Sequence, residues 1–174
     1  ALLSALKKYD QAVIEYGKAL EKDSSQIDVW REISDVYEQN NDYAQAIAAY
    51  RKYYDALAQD KKTPETLFQL GRLYYGEGTS ADTSAVQPAD RTAALQSADS
   101  VFALVATSSP DSYLGDIWRA RTNSAIDPET TAGLAKPYYE KVADLLQAKN
   151  DPKYNAALIE CYSYLGYYYL LKSD

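Results

Sequence analysis

At 174 residues, the chain is long enough for one ordinary core or for a stack of about four helix pairs. With 25 % charged and 47 % hydrophobic residues it has the balance of a folded, water-compatible protein and not of a disordered one. The net charge of −7 excludes attraction to nucleic-acid phosphates, and the absence of histidine removes both the usual neutral-pH general base and the commonest metal ligand.

Residues 1–8 read as the end of a helix, with Leu2, Leu3 and Leu6 on one face, and a second helix follows over residues 9–22. Its apolar stripe is Ala12, Val13, Tyr16, Ala19 and Leu20. After the stop at Asp23-Ser24-Ser25, a helix over residues 27–38 carries Trp30, Ile33, Ser34 and Tyr37. The polar turn Gln39-Asn40-Asn41-Asp42 then leads, with Asp42 as N-cap, into a partner over residues 42–58 carrying Ala46, Tyr50 and Tyr53. Tyr9, Gln11, Ala12 and Tyr16 recur thirty-four residues later as Tyr43, Gln45, Ala46 and Tyr50. A self-repeat of that period marks a helical array.

Thr63 and Pro64 suit an N-cap and a first helical position. The helix they open carries Leu67, Leu70, Gly71 and Tyr74, matching Trp30, Ile33, Ser34 and Tyr37. From Gly76 to Pro88 the residues are small, polar and punctuated by Gly and Pro, which predicts a loop and an insert at about residues 76–90. A helix resumes at about Ala89 with Ala98 and Phe102 on its stripe. Past Pro110, a helix over residues 111–125 is expected to bury Leu114, Ile117 and Ala120, with Trp118 beside them. Its partner carries Ala135, Tyr139 and Val142 and should start late or bend at Pro137. A last helix, from about Asp151, carries Tyr162, Leu165, Gly166 and Tyr169.

Trp30, Ile33, Ser34, Tyr37, Ala46 and Tyr50 in one unit resemble the tetratricopeptide repeat (TPR). So do Leu67, Leu70, Gly71, Tyr74, Ala98, Phe102 and Pro110 in the next. The resemblance implies an all-α, right-handed superhelical solenoid of antiparallel helix hairpins, with about nine helices. The units would be 1–26 (partial), 27–63, 64–110 with the insert, 111–150 (divergent) and 151–174 (half). Small residues (Ser34, Gly71, Gly166, Ala46, Ala98, Ala135) let helices approach within a hairpin, and large ones fill the space between hairpins. The segments around Trp118-Arg119-Ala120-Arg121 and Lys136-Pro137-Tyr138-Tyr139 are also similar to bacterial repeat proteins of unassigned function. That narrower likeness implies the cell envelope or periplasm, while the residues alone leave the cytoplasm open.

Proteins of this type hold a partner protein or peptide in the groove lined by their first helices. Here that implies Arg31, Asp35 and Glu38, then Phe68, Arg72 and Tyr75, then Trp118 and Arg119, and last Tyr167. Some relatives grip a terminal carboxylate with Lys and Asn side chains. Asp35 at one such slot would repel it. Tyrosine supplies eighteen of the aromatic residues, and its adjacent pairs cannot all face inward, so some are exposed. Exposed tyrosines anchor peptides and also stack on sugars, so the alternative is a glycan-binding module of the bacterial envelope. Arg119 and Arg121 could take a carboxylate or phosphate, but pairing with nearby carboxylates such as Asp116 or Glu129 is the simpler expectation.

No cofactor, metal or catalytic constellation is present. Gly76-Glu77-Gly78-Thr79 lacks the Gly-Lys-Ser/Thr of a phosphate loop. Cys161, the one cysteine, reads as a small packing residue. No apolar run reaches membrane-span length and no cleavable signal is visible, so the expected partner is a protein or peptide. The chain starts inside one helix and stops where a partner helix should begin, as in a fragment of a longer array. Leu165, Tyr168, Tyr169, Leu170 and Leu171 do not form a polar cap, which points to self-association through the last helix.

Overall fold

The structure, a computed structural model, describes residues 2–23, 25–81 and 87–173, with side chains from residue 8 onward. The expected Leu2, Leu3 and Leu6 face and residues 82–86 of the insert lie outside the described residues. The described residues form eight α-helices and no strand: α1 (Leu2–Lys22), α2 (Asp28–Gln39), α3 (Tyr43–Ala56), α4 (Pro64–Thr79), α5 (Pro88–Ser108), α6 (Leu114–Ile126), α7 (Lys136–Lys149) and α8 (Asn155–Leu171). Short 3₁₀ turns at Gln59–Lys61 and Pro152–Tyr154 lead into α4 and α8. Each helix packs on the one before and the one after it, and α4 also touches α6. Short connections between packed neighbours make successive helices antiparallel.

The expected break between residues 8 and 9 is not there. Between α2 and α3 the chain turns at Asn40-Asn41-Asp42, with Asn41 at φ 59° and Asp42 accepting a hydrogen bond from the Gln45 N–H at 3.2 Å. Thirty-four residues earlier the same slots hold Leu6-Lys7-Lys8. These residues neither cap nor favour positive φ, so α1 runs through as one helix.

Gly76-Glu77-Gly78-Thr79, expected as loop, is the last turn of α4. Tertiary packing holds it helical. A Cβ on Gly76 would meet the Tyr43 ring at 2.3 Å, and one on Gly78 would meet Leu95 Cγ at 2.5 Å. At the other side of the insert, α5 begins at Pro88, about two turns before Leu95, the counterpart of Tyr43. Much of the insert therefore lengthens the α4–α5 hairpin.

The core lies between helices. Ala46, Ala98 and Ala135 are fully buried, and Tyr50, Phe102 and Tyr139, one helical turn on, are buried beside them. Around them sit Leu70 and Leu73 from α4, Ile117 and Ala120 from α6, Val142 and Leu146 from α7, and Cys161 and Leu165 from α8. The Tyr50 hydroxyl reaches out of this core to donate to the Thr66 carbonyl at 3.1 Å. Pro137 lies in the first turn of α7, which starts at Lys136, so its missing N–H costs nothing there.

One expected core residue is not in the core. Leu114 is 43 % exposed, and Gly115 and Asp116 are buried in its stead. A Cβ on Gly115 would lie 2.5 Å from the Ala106 backbone nitrogen, so glycine is what lets α6 approach α5 so closely. The buried Asp116 carboxylate pairs with Lys141 Nζ at 2.6 Å.

Candidate functional site

A line of side chains crosses α2, α4, α6 and α8. On each of the first three helices it uses positions i, i+4 and i+7, which share one face. These are Arg31, Asp35 and Glu38, then Phe68, Arg72 and Tyr75, then Leu114, Trp118 and Arg121. Glu38 accepts a hydrogen bond from Gln69 Nε2 at 3.1 Å and lies 3.6 Å from the Arg72 guanidinium, which ties α2 to α4. Between α4 and α6 the contact is aromatic. The Trp118 ring centre lies 5.6 Å from that of Phe68, 5.2 Å from Tyr75 and 5.4 Å from the buried Phe102. Between α6 and α8 the Arg121 guanidinium sits 5.0 Å from the Trp118 ring centre and forms two parallel bonds to Glu160, of 2.8 and 2.7 Å. Such fork-to-fork pairs are the strongest of the side-chain ion pairs.

Two ends of this line are open. Arg31 is exposed, with Glu32 at 3.4 Å, and Tyr167 is 48 % exposed on α8. Asp35 is half-buried. Burial and the neighbouring Glu32 charge push its carboxyl above the usual range, against the pull of Arg31. Tyr75 is half-buried, and burial raises its hydroxyl pKa.

Arg119 stands apart. Two residues from Arg121, it points about 200° away around the helix. Asp99 of α5 holds it at 3.0 and 3.1 Å, the Tyr138 hydroxyl accepts from it at 2.8 Å, and the Tyr138 ring centre lies 4.3 Å away. Asn123 also donates to Asp99 at 2.8 Å. Arg119 is thus a brace between α5 and α7, and the cation on the shared face is Arg121. Both arginines are ion-paired, with Asp99 and Glu160 as partners in place of the expected Asp116 and Glu129.

Glu160 and Leu114 were missed on sequence. The signal for Glu160 was available, since it occupies the slot of Glu65 when Gly166 is laid on Gly71. Leu114 is apolar, and its place on the helix stripe predicts burial. Here it lines a cavity of about 140 Å³ with Pro64, Glu65, Phe68 and Val105. That volume is below the range of small-molecule sites and suits one or two side chains.

Among the described residues no group of His, Cys, Asp and Glu is arranged to hold a metal, and no helix is long and apolar enough to cross a membrane. Cys161 is fully buried against the core, and burial pushes its thiol up to about 11.

No family model and no curated protein sequence matches the chain. Among solved structures it is similar to the C-terminal part of a TPR repeat-containing protein from Cytophaga hutchinsonii, with 31 % identity and a TM-score of 0.71. The match covers 93 % of this chain and 55 % of that one, so the chain spans about half the length of the solved structure. With the small-against-aromatic helix contacts described above, that likeness gives the chain a helical-repeat fold of the tetratricopeptide type.

Proposed function

We propose that the chain is a non-catalytic scaffold that holds a segment of another protein along the face shared by α2, α4, α6 and α8. We read its units as 27–63, 64–110 and 111–150, flanked by partial units at 1–26 and 151–174. The observation that carries the reading is the exposed Leu114 beside Phe68 at the mouth of a side-chain-sized cavity. It lies on the same face as the open Arg31 and the paired Arg72 and Arg121. An apolar anchor residue in the cavity, flanked by polar side chains, is the chemistry this supports.

The test is selection of peptides from a displayed library on the wild-type chain, followed by affinity measurement on Leu114→Arg. Leu114 is exposed enough for the variant to fold. Selected peptides should bind it about tenfold or more weakly, the loss expected of a central anchor. Peptides that bind both chains equally would overturn the reading. A glycan-array signal abolished by Tyr75→Ala would instead favour a sugar-binding module.

The scaffold reading assigns α8 a second role, in self-association. Ile159, Tyr162, Tyr169 and Leu170 are between 45 and 70 % exposed on one side of it, and a contiguous apolar patch of this kind tends to find a partner.

A further inference from the structure

The charges along the shared face do not balance. Helices α2, α4, α6 and α8 carry four arginines and no lysine. Each arginine already faces a carboxylate of the chain. Arg31 lies 3.4 Å from Glu32, Arg72 3.6 Å from Glu38, Arg119 3.0 Å from Asp99 and Arg121 2.7 Å from Glu160. The surplus is acidic. Asp35 and Glu65 lie on this face, the first half-buried and the second exposed, and among the described residues neither has an ion-pair partner.

The two carboxylates stand in different surroundings. Glu65 is in the first turn of α4, where a negative charge complements the helix dipole, and a hydrogen bond from the Thr63 hydroxyl holds its carboxyl below the usual range. It is also the charged residue in the lining of the Leu114 cavity, whose other walls are apolar side chains and two serines. An apolar group that enters the cavity therefore brings its neighbour up to a carboxylate.

Asp35 has no such local reason to be acidic. It sits in the middle of α2, where burial and the Glu32 charge both disfavour its ionised form, and the pull of Arg31, shared with Glu32, does not offset them. A carboxylate held half out of water without its own cation is stabilised by one brought from outside. An anionic partner would instead add a negative charge beside Asp35, or would have to displace Glu160 from its two-bond grip on Arg121.

We infer that the segment held on this face is basic, with a lysine or arginine on Glu65 next to the apolar residue in the cavity and a second cation on Asp35. This rests on the reading of the Leu114 cavity as an anchor site and adds the charge of what it takes. Charge complementarity of this kind selects the partner and speeds the encounter more than it adds affinity.

Peptides displayed with a fixed central leucine and random flanking positions test it. Those selected on the wild-type chain should be enriched in Lys and Arg over Asp and Glu beside the leucine, and their affinity should fall as sodium chloride is raised. Glu65→Lys should weaken them about three- to tenfold, as expected for reversing an exposed charge, and a fresh selection on that variant should lose the cation next to the leucine. Should that variant lose helicity by circular dichroism, Glu65→Gln removes the charge more gently. Asp35→Asn keeps the shape of the side chain and should weaken the same peptides about threefold or more.

Leu114→Ser, which leaves the charge of the face as it is, separates this inference from the reading beneath it. Peptides that lose binding to Leu114→Ser but show no preference for cations, or are enriched in Asp and Glu, leave the anchor site standing and overturn the inference. Peptides indifferent to Leu114→Ser, or a library that yields no binder, overturn both.

Discussion

The ring of Phe102 occupies the place of a side chain that Gly71 does not have, with its Cε1 2.7 Å from where a Cβ would stand. Both residues are buried, and the ring also touches Phe68 and Trp118, at centre distances of 5.7 and 5.4 Å. One missing methyl group thus sets how closely α4 and α5 approach, and through Trp118 it fixes where α6 lies. The core of the hairpin and the aromatic part of the candidate site are one piece of packing.

Gly71 and Gly166 hold equivalent slots in opposite surroundings, so the same substitution should have opposite signs. Gly71→Ala must displace a buried ring and should cost about 1–3 kcal/mol, and Gly71→Leu more. Gly166→Ala, measured at a concentration where the chain is monomeric, should stabilise by about 0.5–1 kcal/mol through helix propensity alone. Urea melts of the two alanine variants decide it. Equal shifts in both would mean that Gly166 is packed as closely as Gly71, against the open surroundings it has here.

The Arg121–Glu160 pair closes the line between α6 and α8, with side chains 36 and 30 % exposed. Partial exposure discounts the pair, and a double-mutant cycle with Arg121→Ala and Glu160→Ala should return a coupling of about 1 kcal/mol. The same cycle on Lys18 and Glu15, which are 57 and 61 % exposed, should return close to zero. A coupling at Arg121–Glu160 no larger than at the surface pair would show that the bidentate geometry does not persist in solution.

Helix positions and their buried faces could be read from the chain because each is set by a spacing. Ala46, Ala98 and Ala135 recur one turn before a large aromatic residue, and all three are fully buried. Asp42 caps α3 and Pro64 opens α4 by local chemistry alone. What could not be read depends on a distant partner. Gly76 and Gly78 look like loop residues until Tyr43 and Leu95 are brought against them. Whether Arg119 or Arg121 faces α4 and α8 follows from the register of α6, and Gly115 sets that register by packing on Ala106. No pattern within α6 distinguishes the two arginines, since each has an aromatic neighbour and a carboxylate within reach once folded.

Cys161 should be chemically silent in the native chain. Its side chain is fully buried, and burial lifts the thiol to about 11, so the thiolate is scarce at neutral pH and reagents cannot reach it. Ellman's reagent should leave it unmodified over the time in which a denatured sample reacts completely. Rapid native labelling would mean that α8 detaches readily from α7, and it would remove the packing role given to this residue.

Asp127 organises the connection between α6 and α7. Its carboxylate accepts backbone N–H bonds from Thr131 at 3.1 Å, Ala132 at 3.0 Å and Gly133 at 2.8 Å, within a turn where Thr130 and Gly133 have φ of 57° and 68°. Burial works to raise its pKa, but the hydrogen bonds from Ala132, Gly133, Leu134 and Thr131 outweigh it, and the net shift is downward. A carboxyl held below its unfolded value stabilises the fold above that value, about 4, and the contribution fades as the pH falls through the lower folded one. Asp127→Asn keeps the shape but loses the charge and one acceptor oxygen, and should cost about 2 kcal/mol at neutral pH. The gap between the two chains should hold constant from pH 7 down to about 5 and narrow below about 4, as the wild-type carboxyl takes up its proton. Denaturant melts across that range test the sign: a gap that widens in acid would mean that the carboxyl is raised in the fold, and that the four N–H groups do not hold it as an anion.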